Sequence, residues 1–182
     1  IQVVATANDP FEARDAILKY EPDVMTLDIE LPRMDGIEFL RKLMPQHPLP
    51  VVVISSLSER VFDALNAGAV DFVAKPAGAS RLEIESFIKN ELQVKIKVAS
   101  IAKVSHWKKI PIEDAEQPLT LDKKDAIIAI GASTGGTEAI ASIVRELKPG
   151  IPGVVIVQHM PKGFTEMFAG RLNDQSRVLV KE

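Results

Sequence analysis

Short aliphatic segments alternate with helical patterns along most of this chain. Residues 51–54 are apolar at consecutive positions, whereas Ala13, Ala16, Ile17 and Tyr20 follow the i, i+3, i+4, i+7 spacing of an amphipathic helix. Strands that are apolar on both faces and are separated by helices predict a parallel sheet covered on both sides. The sequence therefore predicts an α/β fold.

The alternation occurs in two blocks. The first block predicts strands at 1–6, 24–27, 51–54 and 70–74 with intervening helices, and a last helix from 81 to about 103; the second predicts strands at 126–130, 154–158 and from 178, with helices at 136–147 and 163–173. Between the blocks, Pro111, Pro118 and charges of both signs are typical of a linker. We therefore predict a first domain at 1–103, a linker at 104–124 and a second domain at 125–182.

The composition excludes several classes of function. The 182 residues contain no cysteine, which removes disulfides, zinc-thiolate sites and thiol catalysis. The net charge of −3 indicates neither a nucleic-acid surface nor an anionic membrane surface as partner. No apolar run approaches the roughly 20 residues of a membrane span, and no signal peptide is recognisable. We therefore expect a soluble cytoplasmic protein without nucleic-acid binding or membrane insertion.

Three predicted strands of the first domain end in polar side chains. These are the carboxylate of Asp28, the hydroxyl of Ser55 and the ammonium of Lys75, and the carboxyl ends of strands form the ligand site of an open parallel sheet. A carboxylate can attack phosphorus to give an acyl phosphate, a lysine can neutralise phosphoryl oxygens, and a hydroxyl can hydrogen-bond one of them. Any one of these polar residues alone would be common where a strand meets solvent, but the three together predict a phosphoryl-acceptor site.

The motifs around these residues, LDIELPRMDGIEFL, VVVISSL and AGAVDFVAKP, resemble those of response-regulator receiver domains over residues 1 to about 100. The resemblance implies a flavodoxin-like, doubly wound parallel sheet. It implies that Asp28 is the phospho-acceptor, that a histidine kinase is the phosphodonor, and that Ser55, Lys75 and the aromatic Phe72 are switch residues. It also implies Mg²⁺ as cofactor of phosphorylation, held by the Asp28 carboxylate, the backbone carbonyl of Glu30 and an acid pair on the family's first strand.

That acid pair has no match in this chain. Asn8 and Asp9 follow a predicted strand, but only one helix separates them from Asp28, whereas the family has a helix, a strand and a helix between acid pair and acceptor. We therefore interpret 1–6 as the family's second strand, and we expect the first strand, its helix and the acidic ligands to precede this sequence. The Mg²⁺ site is accordingly expected to be incomplete.

The second domain begins with a strand, a glycine-rich turn and a helix in the stretch AIIAIGASTGGTEAIASIV. Ser133 in this turn has three interpretations. It can cap the helix, it can belong to a loosened dinucleotide fingerprint formed by the nearby glycines, or it can be a nucleophile. A dinucleotide site favours Asp or Glu at the end of the next strand, where this chain has Gln158 and His159.

An imidazole at that strand end is what a serine nucleophile requires. Neighbouring parallel strands lie about 4.8 Å apart, so Ser133 can attack an acyl carbon while His159 takes its proton and returns it to the leaving group. The small residues of the turn permit close approach of a substrate, and the backbone N–H of Thr134 is a candidate oxyanion donor. The sequence alone leaves open whether the two strands are neighbours.

The motifs IGASTGGTEA and VVIVQHMPKGFTEMFAGRLN, downstream of a receiver and a linker, resemble those of chemotaxis protein-glutamate methylesterases. The resemblance implies hydrolysis of glutamate methyl esters and deamidation of glutamines on chemoreceptor cytoplasmic helices, by a Ser-His-Asp triad that needs no cofactor. It implies that Ser133 and His159 are triad members, that Thr134 helps to form the oxyanion hole, and that the unphosphorylated receiver covers the active site. The triad aspartate lies near the family's C-terminus. Asp174 lies only 15 positions beyond His159 and does not qualify, so we expect the chain to hold about the first third of the esterase domain, without that aspartate.

Two alternative functions compete with this interpretation. One is a receiver joined to a dinucleotide-binding module without hydrolytic activity, which titration with NAD would distinguish. The other is a receiver that controls a DNA-binding output, for which the sequence offers no helix-turn-helix pattern and no basic face.

Overall fold

The structure is a computed structural model of the chain and describes residues 1–56, 59–102, 104 and 126–182. Apart from Val104, the predicted linker at 104–124 lies outside the described residues. The helices are α1 (Pro10–Tyr20), α2 (Gly36–Leu43), α3 (Arg60–Asn66), α4 (Arg81–Phe87), α5 (Gln93–Ser100), α6 (Gly136–Glu146) and α7 (Phe164–Gln175), and a π-helical turn (Ile88–Leu92) joins α4 to α5. The strands are β1 (Met25–Asp28), β2 (Val51–Ser55), β3 (Asp71–Ala74), β4 (Ile127–Ala132) and β5 (Gly153–Gln158).

The strands form two parallel sheets. In the first, the order is β1-β2-β3, with Leu27 opposite Val53 and Val53 opposite Phe72. In the second, β4 pairs with β5 so that Ala132 lies opposite Gln158. The prediction of an α/β fold with parallel sheets is confirmed.

The position of β2 in the middle of the first sheet explains why its sequence is rich in valine. Val51, Val52 and Val53 are consecutive and all three are fully buried. Successive side chains of a strand point to opposite faces, so consecutive burial requires packing on both faces. Burial of each valine contributes about 1.5–3 kcal/mol, which makes β2 the centre of the first core.

Two predicted strands are wrong. Neither residues 1–6 nor the segment from Val178 onward is a strand in the structure, although both are rich in aliphatic residues. A strand satisfies its backbone N–H and C=O groups through a neighbour, and neither segment pairs with a described strand. The side chains of Ile1 and Val3 are accordingly about three-quarters exposed, at 70% and 75%.

The helix predicted from 81 to about 103 is divided. Ser80 begins it with a capping box, in which the Glu83 carboxylate accepts the Ser80 N–H at 2.7 Å and the Ser80 hydroxyl accepts the Glu83 N–H at 3.4 Å. The π-helical turn then interrupts the α-helical hydrogen bonds, and α5 ends at Ser100. No helix among the described residues combines the length and the apolar character needed to cross a bilayer.

The first sheet contacts the second unit through aromatic side chains. Phe62 on α3 and Phe72 on β3 pack against Phe164 and Phe168 on α7, with ring centroids 4.6 Å apart for Phe72 and Phe164 and 5.4 Å apart for the stacked pair Phe62 and Phe168. Such pairs add about 0.5–1.5 kcal/mol beyond the area that they bury. This aromatic cluster joins α3 and β3 of the first unit to α7 of the second.

Candidate active site and phosphoryl-acceptor site

The three polar strand ends of the first sheet meet at one edge. The ammonium of Lys75 contacts Oδ2 of Asp28, and the N–H of Glu30 donates to Oδ1 of Asp28 at 3.2 Å. Ser55 ends β2 between them, is 4% exposed, and accepts the backbone N–H of Lys75 at 2.7 Å through its carbonyl. The Asp28 carboxylate and the Lys75 ammonium are therefore in contact, and Ser55 ends the strand that lies between theirs, at the edge where the ends of parallel strands meet.

The start of α2 packs directly on the backbone of Asp28. The N–H of Gly36 donates to the carbonyl of Ile29 at 2.9 Å, and a Cβ atom on Gly36 would lie 2.4 Å from the carbonyl oxygen of Asp28. Only glycine allows this close approach, because any side chain at position 36 would force the backbone to move. Gly36 thus holds the loop that carries the candidate acceptor, a role that the sequence analysis missed.

The donors present do not fit a complete Mg²⁺ site. Across the described parts of the chain, no three His, Cys, Asp or Glu side chains are grouped closely enough to hold a metal ion. Asp28 contributes one carboxylate, which is already paired with Lys75, and Glu30 contributes a backbone carbonyl. Mg²⁺ requires near-octahedral oxygen coordination, so these groups alone do not complete its shell.

Ser133 and His159 follow directly opposite residues of two paired strands. Ala132 ends β4 and Gln158 ends β5 in the same register, and the N–H of His159 donates to the carbonyl of Ala132 at 3.4 Å. Both side chains are exposed, and in the described chain no hydrogen bond joins the Ser133 hydroxyl to the His159 ring. Contacts of this kind often tighten only when substrate binds. The question of whether the two strands are neighbours is answered: they are.

Backbone conformation and close packing explain why the turn contains glycines at positions 135 and 136. Gly135 is the N-cap of α6 and has φ 75°, a left-handed conformation that favours glycine. Gly136 is buried, and a Cβ atom there would lie 2.3 Å from Oε1 of Gln158. No side chain caps α6, so the helix-cap interpretation of Ser133 is wrong. The spacing of these glycines needs no dinucleotide to explain it.

Gln158 touches the segments of both candidate catalytic residues. Its side-chain Nε2 donates to the carbonyl of Ser133 at 2.9 Å and to the carbonyl of His159 at 3.1 Å. Sequence reasoning considered Gln158 only as a poor partner for a ribose. The signal that could have identified it is its position: it immediately precedes His159, at the end of the strand that neighbours Ser133.

A buried polar group links Thr134 to the first domain. The Thr134 hydroxyl donates to Oδ2 of Asp71 at 2.8 Å, while Oδ1 of Asp71 accepts Nζ of Lys95 at 2.8 Å. Lys95 also donates to the carbonyl of Phe72 at 2.8 Å. Asp71 and Lys95 are 9% and 8% exposed, so each charge is compensated by the other, as buried charges require. Sequence analysis missed this network, because its members lie on three separate segments.

The first domain also borders the surroundings of His159. A groove of about 520 Å³ is lined on one side by His159 and Lys162, and on the other by Asn90 and Glu91 at the π-helical turn. The candidate base therefore lies at the boundary between the two units.

Comparisons with known proteins match both units. The family described as response regulator receiver domain matches residues 1–85, and the family described as CheB methylesterase matches residues 128–182. Protein-glutamate methylesterase/protein-glutamine glutaminase 2 of Syntrophomonas wolfei is 59% identical over the whole chain, which covers 53% of that protein. The protein-glutamate methylesterase/protein-glutamine glutaminase of Syntrophotalea carbinolica is 53% identical, again over the whole chain and 54% of the relative.

Among solved structures, the response regulator domain of Thermotoga maritima CheB is 38% identical and covers 56% of this chain and 78% of its own, with a TM-score of 0.49. The parallel sheet with its polar strand ends, followed by the Ser133 turn, defines a response regulator joined to the beginning of an enzyme-type α/β domain. The chain is similar to protein-glutamate methylesterases, since its two units match the receiver and methylesterase families in that order and its curated relatives carry that name. It spans about half the length of the curated relatives that it matches. None of these relatives or families supports the dinucleotide-binding alternative.

Proposed function

We propose that the protein containing this chain is a phosphorylation-regulated hydrolase that cleaves methyl esters of glutamate side chains, and deamidates glutamines, on chemoreceptors. The observation that carries the proposal is the register of β4 and β5, which sets Ser133 and His159 at adjacent strand ends. The names of the relatives, which are protein-glutamate methylesterases and protein-glutamine glutaminases, supply the substrate class.

The reaction is an acyl transfer through Ser133. Its hydroxyl oxygen attacks the side-chain carbonyl carbon of the substrate while His159 takes the proton. The oxyanion forms near the backbone N–H of Thr134, and a donor in this position typically contributes about 3–4 kcal/mol of transition-state stabilisation. Collapse expels methanol or ammonia, which receives its proton from His159, and leaves an acyl-serine. Water, deprotonated by His159, then releases the glutamate carboxylate and the free serine.

The third member of the triad is not identified in this chain. Asp174 lies in the last turn of α7, and among the described residues no carboxylate is bonded to the His159 ring. In a serine triad, loss of the aspartate lowers turnover by about 10⁴. The full proposal therefore concerns the intact protein, whose relatives are nearly twice as long as this chain.

Regulation acts through the edge that carries Asp28. Phosphorylation adds about −1.5 to −2 of charge there, and the Lys75 ammonium and the Ser55 hydroxyl then bind the phosphoryl oxygens. This rearrangement loosens the packing of Phe72 on Phe164, whose rings lie 4.6 Å apart between centroids. A histidine kinase is the phosphodonor, the cytoplasmic helices of chemoreceptors are the substrate, and the site of action is the cytoplasm.

The direct test uses the intact protein and receptor membranes whose glutamates carry isotopically labelled methyl esters, with release of labelled methanol as the measurement. Ser133→Ala should abolish release and leave phosphorylation unchanged. Ser142→Ala is the matched control, since Ser142 is exposed on α6, and it should keep the wild-type rate. Methanol release by Ser133→Ala would disprove the nucleophile assignment.

The acceptor assignment has its own test. Asp28→Asn should prevent incorporation of a phosphoryl group from a small-molecule phosphodonor, and it should keep the basal rate of hydrolysis. Activation of Asp28→Asn by that donor would mean that the acceptor lies elsewhere.

A further inference from the structure

One side chain holds the turn of Ser133 and the segment of His159 at the same time. Nε2 of Gln158 donates to the carbonyl oxygens of Ser133 and His159, at 2.9 and 3.1 Å. Because both partners are carbonyls and can only accept, the amide must present its nitrogen to them. The two hydrogens of one nitrogen therefore join the two segments that the proposed reaction brings together.

These bonds continue the pairing of β4 and β5 beyond the point where the strands separate. The last register pair is Ala132 with Gln158, and the next backbone bond, from the His159 N–H to Ala132, is already long at 3.4 Å. The carbonyl of Ser133 is turned into the start of α6, where it accepts the N–H of Gly136 at 2.7 Å. The Gln158 side chain thus supplies the connection that the backbone no longer provides.

The arrangement is unfavourable for stability in one respect. Oε1 of Gln158 is buried and has no hydrogen-bond partner, although buried acceptors are almost always paired because desolvation without a partner is costly. The same oxygen would lie 2.3 Å from a Cβ atom on Gly136, so the Gln158 side chain fits in this position only beside a glycine. Local features that oppose stability in this way are expected where a function requires them.

We propose that Gln158 is a positioning residue of the hydrolase, which fixes the separation of the Ser133 turn and the His159 segment. The proposal rests on the proposed function. Gln158 touches none of the reacting atoms; it acts through the backbone of the two residues that do. Reacting groups must lie within a narrow range of distance and angle, and a misplacement of about 1 Å can reduce the rate by roughly 10².

The decisive variant is Gln158→Met in the intact protein. Methionine has a similar length and volume, lacks both donors, and also lacks the unpaired acceptor. We expect kcat for release of labelled methanol to fall about 10- to 100-fold, while KM for the receptor stays within about twofold and the thermal midpoint is equal to or above that of the wild type. If the role of Gln158 were purely structural, its replacement by methionine would lower the thermal midpoint instead.

A second variant, Gln158→Glu, adds a pH signature. At neutral pH its carboxylate faces two carbonyl oxygens, which it repels, so its rate should be below that of Gln158→Met. Protonation converts the carboxyl into a donor, and the ratio of its rate to the wild-type rate should therefore rise as pH falls. The matched control is Gln46→Met, which removes an amide bond to the carbonyl of Lys42 (3.0 Å) in the first domain and should change no kinetic constant.

The outcomes separate the inference from the function on which it rests. If the wild-type protein hydrolyses the ester and Gln158→Met keeps its kcat, the inference is overturned and the proposed function stands. If Gln158→Met loses rate only together with a lower thermal midpoint, Gln158 is structural and the inference is again overturned. If the intact wild-type protein releases no methanol, the proposed function fails and the positioning role falls with it.

Discussion

The hydroxyl of Thr134 donates a hydrogen bond of 2.8 Å to Oδ2 of Asp71. Thr134 follows the candidate nucleophile, whereas Asp71 begins the strand β3 and precedes the candidate switch residue Phe72. Asp71 is held in turn by Lys95, so the acceptor cannot easily turn away. This bond connects the turn proposed to perform the chemistry directly to the domain proposed to regulate it.

Thr134→Val should weaken the contact between the domains without removing the backbone N–H that serves the oxyanion. A hydrogen bond to a charged group contributes about 1.5–3 kcal/mol, so the closed arrangement should lose roughly tenfold or more in equilibrium. We expect the unphosphorylated variant to hydrolyse ester faster than the unphosphorylated wild type, and the phosphorylated forms to have similar rates. Methanol release with and without a phosphodonor measures both.

Asp71→Asn completes a double-mutant cycle for that bond. If the two side chains act through their mutual contact, the double variant should raise the basal rate little more than the single variants do. Fully additive effects would show that the bond is not what joins the domains.

Phe164→Ala should release the regulatory contact through packing. Phe164 is fully buried between Phe62 and Phe72, at centroid distances of 6.4 and 4.6 Å. Removal of a buried phenyl ring typically costs about 3–5 kcal/mol, and two of its ring partners belong to the first domain. We expect a raised basal rate of hydrolysis in the unphosphorylated protein.

The control for that variant is Phe39→Ala. Phe39 lies on α2 within the core of the first domain and is 5% exposed, so its loss should lower the thermal midpoint without the same gain in basal rate. Equal basal rates for Phe164→Ala and the wild type would mean that the aromatic cluster does not restrain the active site.

The sequence was sufficient to predict which residues lie at the strand ends, but it was not sufficient to predict the contacts between separate segments. Asp28, Ser55 and Lys75 were predictable because the carboxyl ends of parallel strands meet at one edge, whatever the helices do between them. The adjacent positions of Ser133 and His159 follow from the same rule, because their strands are neighbours, whereas their pairing in catalysis stays a prediction. The strand predicted at 1–6 was wrong because aliphatic composition indicates burial and says nothing of a pairing partner.

The remaining site residues depend on side-chain directions that no local pattern encodes. Asp71 and Thr134 are 63 positions apart, and Lys95 is buried against a sheet although a lysine on a helix usually faces solvent. Gln158 is one glutamine among several, and its importance appears only from its two carbonyl partners. Gly36 and Gly136 are required by close approaches between elements, which only coordinates reveal.

Gly36→Ala should destabilise the first domain and displace the loop of Asp28. The added methyl group would lie 2.4 Å from the Asp28 carbonyl oxygen and 3.0 Å from Cα of Ile29, and the contacted atoms are backbone, which yields little. Insertion into such a site typically costs about 1–3 kcal/mol, measured as a lower midpoint of chemical unfolding. The rate of phosphoryl incorporation at Asp28 should also fall.

Gly170→Ala is the matched control for that substitution. Gly170 lies within α7, and a Cβ atom there would meet nothing within 4 Å. Alanine is preferred over glycine inside a helix by about 0.5–1 kcal/mol, so this variant should be slightly more stable. A neutral Gly36→Ala variant would contradict the close packing of α2 on the acceptor loop.

Glu138→Gln should change how the stability of the protein depends on pH. Burial on α6 raises the pKa of Glu138 above its ordinary value of 4.5, and the nearby Arg145 and Arg171 only partly oppose this. The folded protein then binds the proton more tightly than the unfolded chain, so the free energy of unfolding falls as pH rises from about 4.5 through the raised pKa. Glutamine lacks this titration. We therefore expect the stability of the variant relative to the wild type to be lowest near pH 4 and to increase toward pH 7, measured by chemical unfolding at each pH. A stability difference that is constant over this range, or that decreases toward neutral pH, would contradict the burial of a charged carboxylate at this position.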